Sequence, residues 1–356
     1  MSSPLRSETA GTETGTGTET VETVRGPVAA EELGTVLAHE HVFVLDGEVH
    51  RNYPELWDEE QIVAQAVEKL GELARLGVST IMDPTVVGLG RDVARVARVN
   101  AQVDIHVVVA TGLYTLNDVP NLFRYHGPGT LLGGEEPMVA MFVKDLTEGI
   151  AGTGIRAAFL KCAIEESLTP GVERVMRAVA RAHLITGAPI MVHTSAAHRT
   201  GLVAQDVLRE EGVDLGAVVL GHSGDTADVD YVRRLVDRGS YVGMDRFGLD
   251  LLLPGDARVA TVARLAEEGL AERMMLSHDA SCHIDWFPPG VREAIAPNWN
   301  YRYIHQSVLP ALRAAGVGEK QIETMLVDTP QRFLTAGRTG AQQARAEGQG
   351  RGAAGR

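Results

Sequence analysis

The sequence predicts a closed (β/α)8 barrel, and three observations carry that prediction. Short Val/Ile/Leu-rich runs alternate with amphipathic helical stretches along most of the chain. Eight such runs recur, and no Gly-x-Gly-x-x-Gly turn follows an early one. Near-continuous apolar strands alternating with helices imply a parallel sheet covered by helices. Eight units favour closure over an open doubly wound sheet, and the missing glycine turn argues further against the dinucleotide-binding version of that sheet.

In chain order, the expected strands are 35–38, 78–82, 105–110, 157–160, 189–192, 217–220, 241–244 and 273–276. Helical periodicity fills the gaps, as at 60–76, 172–186, 202–211, 228–237 and 258–268. Residues 301–334 read as closing helices, with Val308, Leu309 and Leu312 on one apolar stripe. Residues 1–25 are Thr, Glu, Gly and Ser with little to bury, so they are expected to form a disordered tail. The end, 335–356, has the same character, which leaves a single barrel domain over 26–334.

Composition narrows the function classes. The 356 residues carry a formal charge of −14, which argues against nucleic acid or an anionic membrane as the partner. Hydrophobic content of 44% and a mean hydropathy of −0.02 describe an ordinary globular chain. No apolar run is long enough to span a bilayer, and no basic-then-apolar leader opens the sequence. Cys162 and Cys282 are the only cysteines, so no disulfide framework exists and a reducing, cytoplasmic location is expected.

In a (β/α)8 barrel the chemistry sits at the C-terminal strand ends. Read there, the chain offers His39 and His41, Lys161, His193, His222, the pair Asp245-Arg246, and the pair His278-Asp279. Each has an ordinary alternative. A strand-end histidine can satisfy a core carbonyl, and Asp279 can cap the segment after it. Yet His39, His41, His193 and His222, drawn from only twelve histidines, all converge on one mouth. Four neutral imidazoles and an aspartate suit zinc, with cobalt, manganese or iron also fitting. They are too many for one catalytic ion, which keeps an open position, so two divalent ions are expected. Two ions need a bridging anion, and no second carboxylate stands in the right place. Lys161 does. At the end of an apolar run its ammonium is disfavoured, and a neutral amine takes up CO2 to give a carbamate with two bridging oxygens.

These residues sit in segments that resemble one known family. The segments are AHEHVF (38–43), DPTVVGLGRD (83–92), ATGLY (110–114), FLKCA (159–163), VHTSAAHRTGL (192–202), GHSGDTADVDY (221–231), MDRFGLDLLLP (244–254) and SHDASCHIDW (277–286). In this order they resemble the phosphotriesterase-related amidohydrolases, within them the phosphotriesterase-like lactonases, over about residues 26 to 334. The resemblance implies a TIM barrel of the binuclear metal amidohydrolase type, and a homodimer. It implies that His39, His41 and Asp279 hold one ion and His193 and His222 the other, with carbamylated Lys161 and a hydroxide between them. The implied activity is attack of that hydroxide on lactones, acyl-homoserine or related, with weaker action on organophosphate triesters. Asp279 would carry the proton toward the leaving alkoxide. Alternatives are a phosphotriester or other carboxylic ester as the main substrate, a deamidating amidohydrolase, and a non-catalytic metal-bound binding protein.

Two site residues stay open. Tyr114 orients the nucleophile, touches a lactone ring oxygen, or plugs the barrel mouth. Arg246 positions substrate or pairs with Asp225 or Asp285. Leu251 to Leu253, Trp286 and Phe287 line either an acyl groove or a dimer interface. Relatives often carry an aromatic or cysteine where this chain has Ala280 and Ser281, and some carry a second aromatic where it has Leu116. Both differences are expected to touch the substrate pocket.

Overall fold

A computed structural model describes residues 19–336. The eight expected strands are all present. In chain order the strands are β1 (Thr20–Thr23), β2 (Gly26–Ala29), β3 (Val36–Leu37), β4 (His41–Val44), β5 (Thr80–Asp83) and β6 (His106–Gly112). They continue as β7 (Phe159–Ala163), β8 (Ile190–His193), β9 (Val218–Gly221), β10 (Tyr241–Met244), β11 (Met274–Leu276) and β12 (Ser281–Ile284). The barrel sheet runs β3-β5-β6-β7-β8-β9-β10-β11, every neighbouring pair parallel.

The seam between β11 and β3 is closed by a different means. Ala38 N–H reaches Leu276 O at 3.5 Å, and Asp279 N–H reaches His39 O at 3.0 Å. The Glu40 carboxylate does the rest: Oε1 accepts from His278 N at 2.9 Å and Ser277 Oγ at 2.8 Å, and Oε2 from Ala280 N at 3.0 Å. The first strand is therefore shorter than expected. It breaks at His39-Glu40, where a side chain takes the place of the ladder, and resumes as β4 against β12, with His41 opposite Ser281.

Period-two alternation sorts the core into two layers. Phe159, Met191, Val219, Tyr241 and Met275 fill the barrel interior. Leu160, Val192, Leu220, Val242 and Leu276 face outward into the helical shell. Lys161 and His193 each lie two residues beyond an interior side chain, so the same parity carries them into the mouth.

The shell helices start where their caps dictate. Before helix Pro170–Thr186, Thr169 Oγ1 accepts from Val172 N at 3.3 Å, Pro170 takes the first position, and Gly187 ends it at φ +74°. The expected closing helices are interrupted by two π-helical turns, Ile304–Val308 and Thr324–Asp328. Each immediately precedes a proline-bearing helix, Leu309–Ala314 and Thr329–Thr335. A wider turn relieves the clash between a proline ring and the carbonyl one turn back. The stripe of Val308, Leu309 and Leu312 is buried as expected.

The expected N-terminal tail is corrected at its inner end. Residues 20–29 form the antiparallel hairpin β1-β2, Val21 is fully buried, and Val24 N–H bonds Val107 O at 2.9 Å. A polar, Thr-rich composition hid a strand whose alternate Val is all the floor of the barrel requires. The rest of that tail, 1–18, and nearly all of the C-terminal one, 337–356, lie outside the described residues. Among the described residues no helix is long and apolar enough to cross a membrane.

Candidate metal centre

Asp245 stands beneath the site and orients two of its histidines. Its Oδ2 lies 3.0 Å from His39 Nδ1, and its Oδ1 lies 3.0 Å from His222 Nδ1 and accepts from His222 N at 2.8 Å. Gly243 makes room for this reach, since a Cβ there would lie 2.2 Å from Asp245 Oδ2. A carboxylate can only accept, so each Nδ1 carries the proton and each Nε2 turns a lone pair into the mouth. His41 is turned the same way. Its Nδ1 sits 2.7 Å from Thr85 Oγ1, whose own proton goes to Asp83 Oδ1 at 2.5 Å. His193 is reversed: Nε2 donates to Glu165 Oε2, leaving Nδ1 facing inward.

The inward atoms meet. His39 Nε2 and His41 Nε2 lie 3.3 and 3.2 Å from Asp279 Oδ1. His193 Nδ1 and His222 Nε2 face one another at 2.9 Å. Lys161 Nζ lies 3.5 Å from His39 Nε2, with the residue only 1% exposed. Burial pulls His39 down to about 4 and lowers His193 and His222, so these rings are neutral near pH 7. Neutral rings with these tautomers set lone pair against lone pair, and lone pairs against a carboxylate. Such contacts repel unless a cation lies among them, and this donor set fits divalent metal. His39, His41 and Asp279 form one cluster with metal-ligand spacing. A second such cluster, His39, His222 and Asp245, contains the orienting aspartate.

Two candidate ligands sit in strained backbone. His222 has φ +63° and Asp279 φ +55°, a region that non-glycine residues rarely adopt. Burial pushes the Asp279 carboxyl up, but His39, His222 and Arg246 together hold it well below the usual carboxylate range. Burial also pulls the Lys161 ammonium down to about 8.

Arg246 is placed between two acids. Its Nε donates to Asp279 Oδ2 at 2.8 Å and its Nη1 to Asp225 Oδ2 at 3.0 Å. The expected pairing with Asp225 is present; Asp285 instead binds His50 at 2.9 Å. Tyr114 packs edge-on against His193, ring centroids 5.4 Å apart, and burial pushes its hydroxyl up to about 12.

A cavity of about 220 Å3 opens over these groups, walled by Leu249, Leu252, Ile284, Trp286, Phe287 and Trp299. Of the expected pocket differences, Ser281 lines it. Leu116 does not: it is 45% exposed and outside the lining, because the chain leaves the mouth after Tyr114. Ala280 is also outside the lining, its N–H tied to Glu40.

Sequence reasoning placed Asp245 at its strand end without a role, and it missed Glu40, Asp83, Thr85 and Glu165 as orienting groups. Glu40 had a signal, being flanked by both histidines of the first strand. Glu165 had none beyond lying four residues after Lys161.

Comparison with known proteins identifies the family and the fold. The sequence profile of the Phosphotriesterase family matches residues 19–334. A phosphotriesterase homology protein of Mycobacterium tuberculosis is 54% identical over 314 residues, 88% of this chain and 96% of that protein. An aryldialkylphosphatase of Saccharolobus solfataricus is 38% identical over 311 residues, covering 86% and 97%. The solved structure of the phosphotriesterase from Mycobacterium tuberculosis superposes with a TM-score of 0.88 at 53% identity, covering 89% of this chain and 98% of that one. With its barrel matched by a solved relative and nearly its whole described length by the family profile, the chain belongs to the Phosphotriesterase family of ester hydrolases.

Proposed function

We propose that the protein is a two-metal lactone hydrolase with side activity on phosphotriesters. The observation that carries the metal centre is the convergence of His193 Nδ1 and His222 Nε2, 2.9 Å apart, beside His39, His41 and Asp279. His39, His41 and Asp279 would hold one ion and His193 and His222 the other, zinc suiting the donors best and cobalt, manganese or iron also fitting. The chemistry a metal pair supplies when bound is polarisation of the scissile carbonyl or phosphoryl group and activation of water.

The chain's own residues do the rest. The partly neutral Lys161 amine adds its lone pair to the carbon of CO2 and loses one proton to water, giving the carbamate. Arg246 keeps Asp279 ionised, so a carboxylate oxygen takes up the proton released on hydrolysis. Once protonated, so acidic a carboxyl passes the proton readily to the leaving alkoxide. Tyr114 stays protonated at working pH and donates a hydrogen bond to the lactone ring oxygen. Leu249, Leu252, Trp286 and Phe287 form an apolar wall suited to an alkyl chain.

The aryldialkylphosphatase relative favours a second reading, in which a phosphotriester is the main substrate. Against a non-catalytic metal binder stands the completeness of the donor set. We also place the protein in the cytoplasm as a homodimer. Two buried free cysteines are consistent with a reducing compartment, and exposed Leu122, Tyr125, Leu131 and Leu132 offer an apolar face.

The test is metal content by mass spectrometry, with kcat/KM on a γ- and δ-lactone panel and on an aryl dialkyl phosphate. About two ions per chain, and lactone turnover above triester turnover and abolished by Asp279→Asn, is the expected result. Faster triester turnover would make the second reading the right one. No turnover of either after metal and bicarbonate are restored would refute both.

A further inference from the structure

We propose that Glu165 is the positioning residue for His193, and that the occupancy of the second metal position depends on it; this rests on the two-metal reading above. The first support is the tautomer. His39 and His222 share Asp245, and His41 leans on Thr85 and Asp83, all through Nδ1. His193 is the exception, held through Nε2 by Glu165 alone. With the Nε2 proton donated to that carboxylate, the Nδ1 lone pair is the one left to face His222 Nε2. Without Glu165 nothing in the site selects this tautomer, and the ring is free to carry its proton on the inward nitrogen.

The second support is how the backbone delivers Glu165. Ala163 pairs with His193 in the ladder between β7 and β8, and Ile164 N–H donates to His193 O at 2.9 Å. Thr200 Oγ1 in turn donates to Ile164 O at 3.1 Å. The chain is thus fixed to His193 immediately before Glu165, whose side chain needs only to turn back onto the ring. Tyr114 stands edge-on to the same ring, so rotation is blocked while the tautomer is set from the other side.

The third support is exposure. Asp245 and Asp83 are sealed beneath the site, their side chains 3% and 2% exposed, but the Glu165 side chain is 35% exposed at the mouth. The two imidazoles of one metal position are therefore supported from the barrel interior. The other position depends for half of its imidazoles on a solvent-facing carboxylate, and should be the weaker of the two.

The experiment is titration of metal-free protein with cobalt(II) in bicarbonate buffer against a competing chelator, read by the visible cobalt spectrum and by stoichiometry. Wild type, Glu165→Ala, Glu165→Gln and Glu165→Asp are compared. Wild type is expected to bind about two ions with unequal affinities. Glu165→Ala should weaken only the weaker site, by about 10- to 100-fold, the usual effect of losing an outer partner of a ligating histidine. Glu165→Gln keeps an acceptor and should fall between, and Glu165→Asp should restore part of the loss. A purely structural role would lower the melting temperature of the metal-free protein and leave both affinities unchanged; that result overturns the inference. So does equal weakening of both sites. Wild type binding fewer than about two ions would instead overturn the two-metal reading, and this inference with it.

Discussion

Replacing Asp245 by asparagine tests the most central support of the site with the smallest change of shape. The carboxylate accepts from His39 Nδ1 on one oxygen and from His222 N and Nδ1 on the other. An amide keeps only one acceptor oxygen and presents an NH2 to the other partner. If the oxygen stays with His222, the NH2 confronts the His39 Nδ1 proton. His39 must then move that proton to Nε2, the atom 3.3 Å from Asp279 and 3.5 Å from Lys161, where it ceases to be a ligand. If the amide flips, His222 suffers the same change. Each of these charge-assisted hydrogen bonds is worth about 1.5–3 kcal/mol. At about 1.4 kcal/mol per decade, one lost contact predicts roughly 10- to 100-fold weaker metal binding. The assay is chelator competition with zinc or cobalt, accompanied by melting curves with and without metal. Wild-type affinity at both positions in a folded Asp245→Asn protein would refute the claim that this aspartate sets the tautomers.

Three further outcomes follow from the same contacts. Gly243→Ala places a methyl 2.2 Å from Asp245 Oδ2, so it should displace that carboxylate and lower metal content while the barrel still folds; full metal loading would refute the crowding argument. For the metal-free protein, His39 titrates at about 4 when folded and 6.5 when unfolded, so between those values the unfolded chain binds more protons. Its melting temperature should therefore hold above pH 6.5 and fall from there toward 4, and a flat profile across that window would count against a buried neutral His39. Burial pushes the Cys162 and Cys282 thiols up to about 12, so a thiol-exchange reagent should label neither until the protein unfolds, as followed by absorbance. Rapid labelling under native conditions would contradict their burial.

What could be read from the sequence divides along a physical line. Strand parity is local, so a run such as Ile190 to His193 announces both its pleat and which residue points inward. The side chains that converge in the mouth, His39, His41, Lys161, His193, His222 and Asp279, could each be picked out one strand end at a time. The orienting contacts are not local. Asp245 acts on His39 across 206 residues and Glu40 on His278 across 238, and a carboxylate at a strand end looks the same whether it binds an ion or a ring N–H. The hairpin at 20–29 was hidden for another reason. Two buried valines, Val21 and Val24, among Thr and Glu fall below any compositional signal.

The charges explain why so many orienting acids are tolerated under one mouth. Asp279, Asp245, Asp225 and Glu165 bring four carboxylates around it, while Arg246 and Arg258 bring two guanidiniums, Arg258 Nη1 donating to Asp225 Oδ1 at 2.6 Å. His39, His193 and His222 add no charge, because burial keeps these rings neutral. A buried excess of negative charge is costly unless a cation offsets it. Here the excess is built from candidate ligands and from the groups that aim them, and Asp225 serves both arginines while Arg246 also holds Asp279. The same surplus favours multivalent cations, and carbamylation of the neutral Lys161 amine, as proposed, would enlarge it by one. If the proposed metal and carbamate form, they and the fold would be linked equilibria, each favouring the others. Ligation by His222 and Asp279, as proposed, would offset the strain of their positive-φ backbone.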